Sequence, residues 1–201
     1  MRHKSFLACR INALSDGVFA IAMTLLVFNI QIPDWADIKF GENFYSNFRQ
    51  QVPHIFSWLL SFAILCRLWL THNYLMSDHE SKSIGFTGFN FMLLGAVAFI
   101  PFPAGLIGEY PEQAWSVILL SSSYAVAALA IAGMWCIAPN RSSMAAHRVL
   151  VVSIVMLVTS ALACVLTLFN PYWGLVVWMI YVVGIAPLAY FFERHFFVEE
   201  G

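Results

Sequence analysis

Three ionisable side chains stand inside long apolar stretches of this sequence: Asp16, Arg67 and His72. A charged group in such a stretch is costly, so these residues are the first candidates for function. An acid and an imidazole can relay protons, and the same pair can join two helices by a hydrogen bond. Arg67 is interpreted as a side chain that extends toward the membrane surface, because one arginine cannot replace the arginine-rich repeat of a voltage sensor.

Asp16 and His72 are predicted to belong to one buried polar cluster. If the first apolar stretch crosses a membrane and the second returns, the two residues lie at a similar depth. Arg10, Ser15 and Trp69 can add a guanidinium, a hydroxyl and an indole N–H to this cluster. Simpler interpretations stay open: Ser15 or Asp16 can cap a helix, and Arg10 can anchor the chain at the membrane surface. His72 can also be a lone interfacial histidine.

No catalytic motif accompanies the cluster. The sequence contains no HExxH, no GxSxG, no pair of intramembrane aspartates, no P-loop and no GxGxxG. The TVGYG string of potassium-channel filters is absent as well. The four cysteines are isolated and form no CxxC pair. We therefore expect a protein that is not an enzyme and has no resident cofactor or metal.

The composition identifies the elements that must hold these residues. Hydrophobic residues make up 61% of the 201-residue chain and charged residues 10%, whereas soluble domains are about 25% charged. So few charges cannot cover a soluble surface, and a net charge of −1 provides no basic field for nucleic acid. The sequence predicts an integral membrane protein with the lipid bilayer as its partner. No cleaved signal peptide is expected, because Asp16 heads the first apolar stretch and no small-x-small site follows.

The apolar stretches predict an all-α fold with six transmembrane helices in one domain, residues 1–201. A span needs about 20 largely apolar residues. The uncharged stretch from Val149 to Phe192 is too long for one helix, and Asn170-Pro171 predicts a turn that divides it. The spans are predicted at about residues 15–32, 53–76, 84–106, 114–137, 149–169 and 172–192.

The positive charges predict the orientation. With the amino terminus in the cytoplasm, eight of the ten Lys and Arg residues fall at or near the inner side and two fall outside. Six spans then place the carboxyl terminus in the cytoplasm as well. The inner residues are Arg2, Lys4, Arg10, Arg67, Lys82, Arg141, Arg148 and Arg194, and the outer ones are Lys39 and Arg49.

Several of these residues also form a family pattern. Residues 10–24, RINALSDGVFAIAMT, resemble the RxxxFSD signature of the transmembrane protein 175 family, which comprises the endolysosomal potassium channel and its prokaryotic homologues. Trp69-Leu70-Thr71-His72 is similar to the family's W-x-x-H, and the third span has Asn90 followed by Pro101-Phe102. The resemblance is specific in the first three spans and says little about the last three.

Two positions depart from the family pattern, and a third differs from most relatives. Leu14 replaces the signature phenylalanine, which keeps an apolar contact and loses an aromatic face. Asn73 stands where many relatives have a second histidine, so a role for that imidazole is in doubt. Phe28 stands where relatives usually carry leucine, which predicts a bulkier constriction and a closed or weakly conducting resting form.

The resemblance implies a potassium-permeable channel in a prokaryotic cell membrane, assembled as a homotetramer around a pore lined by the first helix. The family's constriction residues fall on Ile21, Thr24 and Phe28, and Gly17 and Gln31 extend this face toward the two mouths. The polar cluster would join the first two spans.

Two other functions stay open. One is a proton pathway or proton-coupled transporter that uses Asp16 and His72. The other is a non-conducting scaffold or a membrane enzyme.

Overall fold

The computed structural model describes residues 2–30, 44–77, 83–138 and 144–185, and all regular structure within these ranges is helical. A 3₁₀ turn, Leu26–Asn29, continues α1, and a π-helical turn, Tyr181–Ile185, continues α7. The predicted all-α class is therefore confirmed. The α-helices are α1 Arg2–Leu25, α2 Phe44–Ser77, α3 Ile84–Phe99, α4 Pro101–Glu109, α5 Ala114–Ile137, α6 Met144–Thr167 and α7 Pro171–Ile180.

Five helical segments among the described residues are long and apolar enough to cross a membrane. This confirms a polytopic membrane protein. A sixth apolar segment, Pro171–Gly184, is shorter. The predicted sixth span reaches residue 192, and its part after Ile185 lies outside the described residues. The five long segments are Arg10–Asn29, Arg49–Met76, Ile84–Glu109, Ala114–Ile137 and His147–Thr167.

The helices extend beyond the apolar stretches from which they are predicted. α1 begins at Arg2 and not near residue 15, so Ser15 and Asp16 lie in its interior. The Ser15 hydroxyl donates to the Ile11 carbonyl four residues earlier (2.9 Å), which is the bond of a serine inside a helix. The interpretation of Ser15 or Asp16 as a helix cap is therefore wrong.

The predicted third span is two helices. α3 ends at Phe99 and α4 begins at Pro101, because proline has no N–H to continue the helical hydrogen bonding and its ring crowds the preceding turn. Around the break, the Ile100 N–H donates to the Ala96 carbonyl (3.1 Å), and the Ala104 N–H donates to the Ile100 carbonyl (3.1 Å). The two helices together still make one apolar segment long enough to span.

α5 lies at the centre of the bundle, packed between α3 and α6. Its small and apolar side chains allow close contact on both sides, and Leu120, Tyr124 and Ile131 are buried. α7 is joined to α5 by the buried indole of Trp178, whose Nε1 donates to Ser121 Oγ (2.9 Å).

α1 lies at the edge of the bundle: 22% of its apolar segment is buried, against 56% for α5.

Candidate functional site

One face of α1 is open to the outside of the single chain. Ile21 is 60% exposed and Phe28 79% exposed, and Gly17 and Thr24 are also exposed. The predicted pore stripe therefore coincides with this open face, which we call the exposed α1 face. Gln31, predicted for one mouth, lies outside the described residues. The buried face of α1 consists of Ser15, Phe19, Ala22 and Leu26.

Thr24 provides oxygen on the exposed α1 face. Its hydroxyl lies within hydrogen-bonding distance of the carbonyls of Ala20 (3.0 Å) and Ile21 (2.9 Å). A hydroxyl has one hydrogen and two lone pairs, so a hydrogen directed at the helix backbone leaves the lone pairs on the side away from the carbonyls. The Thr24 oxygen is thus arranged to accept from water or to face a cation.

The 3₁₀ turn changes which residues share the exposed α1 face. A 3₁₀ helix advances by three residues per turn, so residues three apart lie above one another. Leu25 and Phe28 are such a pair, and Leu25 is 43% exposed. Relative to a continuous α-helix, the turn rotates Phe28 by about 60° around the helix axis. The prediction assumed an uninterrupted helix and missed Leu25, and this nearly uniformly apolar segment contains no signal for the change.

Asp16 and Trp69 join α1 to α2. The Trp69 Nε1 donates to Asp16 Oδ1 over 3.0 Å, and the pair is exposed on the surface of the chain. Both residues belong to the polar cluster predicted from the sequence, and their hydrogen bond connects the first two spans. Arg10 also lies exposed, one to two turns nearer the amino terminus.

His72, Asn90 and Ser15 form a second, buried connection. His72 Nε2 lies 2.8 Å from Asn90 Oδ1, and Asn90 Nδ2 donates to Ser15 Oγ over 3.2 Å. Because the amide oxygen accepts, His72 Nε2 carries the hydrogen in this arrangement. All three side chains are at most 1% exposed. The hydrogen bonds run from α2 through α3 to α1 and end on the Ile11 carbonyl.

The single buried cluster predicted from the sequence is therefore two separate groups. Adjacent residues on a helix point about 100° apart, so Ser15 faces the interior while Asp16 lies at the exposed edge. Asn90, noted only for the family resemblance, is the central residue of the buried group. Its signal was an amide in the uncharged third span, where a polar side chain needs a partner.

Fold and site together define a polytopic α-helical membrane protein whose first helix keeps one face unpaired within the chain. Among the described residues, no group of three or more His, Cys, Asp or Glu side chains is placed to hold a metal ion.

Comparison with known proteins gives the relationship. Residues 10–101 match the model of the family described as endosomal/lysosomal potassium channel TMEM175. A potassium channel of Chamaesiphon minutus is 38% identical over 101 residues, covering 50% of this chain and 49% of that protein. A potassium channel of Streptomyces collinus is 29% identical over 123 residues, 61% of this chain and 58% of that one. The endosomal/lysosomal proton channel TMEM175 of Danio rerio is 32% identical over 109 residues, 51% of this chain and 21% of its own length.

A solved structure has the same fold. The crystal structure of a lysosomal potassium-selective channel TMEM175 homolog from Chamaesiphon minutus matches with a TM-score of 0.76 at 24% identity, covering 90% of this chain and 97% of that chain. The predicted resemblance is thereby confirmed: residues 10–101 match the TMEM175 family model, and the fold is that of a TMEM175 homolog. The chain spans about half the length of the curated bacterial relatives it matches.

Proposed function

We propose that the chain forms a potassium-permeable cation channel whose pore is lined by the exposed α1 face. The observation that carries the proposal is the position of Ile21, Thr24 and Phe28, which are open in one chain although the opposite face of α1 is buried. The names of the two bacterial relatives, both potassium channels, support the same function.

The proposed pore requires several copies of the chain, because one helix face cannot enclose a channel. We propose a homotetramer, with both termini in the cytoplasm and the assembly in a prokaryotic cell membrane. The orientation follows from the distribution of Lys and Arg, and the number of subunits follows from the family resemblance. Contacts between copies would then cover part of the exposed surface of α1.

Ile21 is proposed as the hydrophobic constriction. A ring of isoleucine side chains offers no ligand to a cation, so a narrow ring excludes water and blocks conduction, and a wider one passes partly hydrated ions. The Thr24 oxygens, one turn away, can replace some of the lost water ligands. Such a pore would select potassium over sodium modestly, because sodium holds its hydration water more tightly.

Flux measurements in liposomes test this proposal. We expect potassium flux from the wild type to exceed sodium flux, and Ile21→Asn to raise the potassium flux several-fold, because an amide at the constriction retains water. Ile180→Asn is the matched control, since Ile180 in α7 has the same residue type and the same 60% exposure. If the flux of Ile21→Asn equals that of the control, Ile21 does not line the pore.

Thr24 gives a separate prediction about selectivity. Thr24→Val keeps the shape and removes the oxygen, so the potassium-to-sodium permeability ratio should fall by about threefold, a change of about 0.7 kcal/mol in relative barrier height. Thr24→Ser keeps the oxygen and should retain the wild-type ratio. Reversal potentials under a potassium–sodium gradient measure the effect. Equal ratios for the valine and serine variants would contradict the hydroxyl ring.

A proton pathway is the second candidate. The Danio rerio relative is named a proton channel, and His72, Asn90 and Ser15 form a continuous buried hydrogen-bonded chain. The bond of Asp16 to Trp69 lies apart from that chain. Proton flux that persists with impermeant cations and is lost in His72→Ala would favour this function over the potassium channel.

The oligomeric state in detergent tests the proposed channel against a non-conducting scaffold. A central pore lined by α1 needs several chains, so we expect an oligomer by light scattering after size exclusion. A protein that stays monomeric under all mild detergent conditions would contradict the channel.

A further inference from the structure

The 3₁₀ turn that continues α1 is attached to the break between α3 and α4. Asn29, the last residue of the 3₁₀ turn, donates from Nδ2 to the Pro101 carbonyl over 2.9 Å. The turn is closed on itself by the Ile30 N–H, which donates to the Val27 carbonyl over 3.0 Å. The hydrogen bond from Asn29 therefore joins the 3₁₀ turn to the first residue of α4.

Gly105 makes this attachment possible. A Cβ at Gly105 would lie 2.8 Å from Asn29 Oδ1, closer than real Cβ atoms approach a neighbour, and 3.1 Å from Asn29 Cγ, which is also tight. The Asn29 amide thus lies directly on the α4 backbone, one turn after Pro101. A side chain of any size at residue 105 would have to displace that amide.

α4 is itself fixed to α2, so it is a firm support for Asn29. The Ser57 hydroxyl donates to the Ala104 carbonyl over 2.6 Å. At the far end of α4, His54 Nε2 lies 3.7 Å from a Glu109 carboxylate oxygen. Between these two contacts, Gly108 packs against the His54 ring so closely that a Cβ would overlap it.

Phe28 precedes Asn29 in the chain and is 79% exposed, so within one subunit its direction is determined mainly by the backbone that carries it. We propose that Asn29 is a positioning residue, which holds the 3₁₀ turn on α4 and thereby directs the Phe28 ring toward the pore axis. This inference rests on the proposed channel function, in which Phe28 lines the pore.

Potassium flux of Asn29→Ala and Gly105→Ala in liposomes tests the inference. Both changes free the turn, one by removing the amide and the other by displacing it, so each should raise the flux by about threefold. Gly95→Ala is the control for the glycine change, because a Cβ at Gly95 in α3 meets nothing within 4 Å. It should leave the flux at the wild-type value.

Two combined variants test whether Asn29 changes the flux through its contact with α4 and through the Phe28 ring. Asn29→Ala removes the amide that a Cβ at residue 105 would displace. The double variant Asn29→Ala/Gly105→Ala should therefore have the same flux as Asn29→Ala alone. In a Phe28→Ala background, Asn29→Ala should have no effect on flux, because the ring that it positions is absent. A general packing defect would instead act in every background. Melting temperature and oligomeric state are measured on the same samples.

The outcomes separate this inference from the channel function. Potassium conduction that responds to Ile21→Asn but not to Asn29→Ala would overturn the role of Asn29 alone. An equal effect of Asn29→Ala with and without Phe28, or additive effects of Asn29→Ala and Gly105→Ala, would also overturn it. Absence of potassium flux from the wild type and Ile21→Asn alike would contradict the channel, and the inference with it.

Discussion

Replacing Phe28 with leucine should raise the potassium flux of the reconstituted protein by about tenfold, which corresponds to a barrier lower by about 1.4 kcal/mol. In the proposed assembly each subunit contributes one Phe28 ring near one mouth of the pore. Phenylalanine is bulkier than leucine and offers no hydrogen bond to water, so a ring of four narrows and dries the pathway. The shorter leucine side chain should leave more room for hydrated ions.

The measurement is potassium efflux from liposomes at matched protein content. Phe169→Leu is the control, because Phe169 has nearly the same exposure, 82% against 79%, but follows α6 far along the chain from the exposed α1 face. Phe28→Trp should reduce the flux below the wild-type value. Equal flux from the wild type and Phe28→Leu would show that residue 28 does not limit conduction.

Replacing Asn90 with leucine should lower the free energy of unfolding by about 2 kcal/mol, since an unsatisfied buried polar group costs about 1–3 kcal/mol. Leucine has a similar size but neither accepts from His72 nor donates to Ser15, which are both buried. Hydrogen bonds between membrane helices are worth less, about 0.6 kcal/mol on average. The value of about 2 kcal/mol applies here because Asn90 makes hydrogen bonds to two other helices and the buried His72 loses the Asn90 oxygen.

Thermal unfolding in detergent measures this change, and two variants calibrate it. Ser15→Ala removes only the hydroxyl that accepts from Asn90 Nδ2. It should therefore lower the melting temperature less than Asn90→Leu does. Asp16→Asn keeps an oxygen for the Trp69 N–H and should leave the melting temperature near the wild-type value. An Asn90→Leu protein with the wild-type melting temperature would mean that the buried chain does not hold α1, α2 and α3 together.

Much of this architecture was predictable because bilayer thickness constrains helix length. The predicted fourth span, residues 114–137, agrees with α5 at both ends, since polar residues flank an uncharged, largely apolar run. The sequence also places Asp16 and Trp69 in one polar cluster, and the structure joins the two by a hydrogen bond. The break before Pro101, where one continuous span is predicted, has a local cause in the missing proline N–H.

The details of the site were less predictable, for physical reasons. Helix ends in polar sequence carry no hydropathy signal, so the start of α1 at Arg2 was missed. Asn90 is named from the sequence only as part of the family pattern, because its position between His72 and Ser15 depends on how three helices pack. The 3₁₀ turn that brings Leu25 into line with Phe28 ends at Asn29, whose side chain donates to Pro101, 72 residues away in the chain.

The two faces of α1 have a consequence for how such proteins diversify. Phe19, Ala22 and Leu26 attach the helix to its own bundle, whereas Ile21, Thr24 and Phe28 make little contact with it. If this side lines the proposed pore, substitutions on it can alter ion passage without weakening the subunit. In the proposed channel, conductance can then be adjusted at these positions while the scaffold stays unchanged.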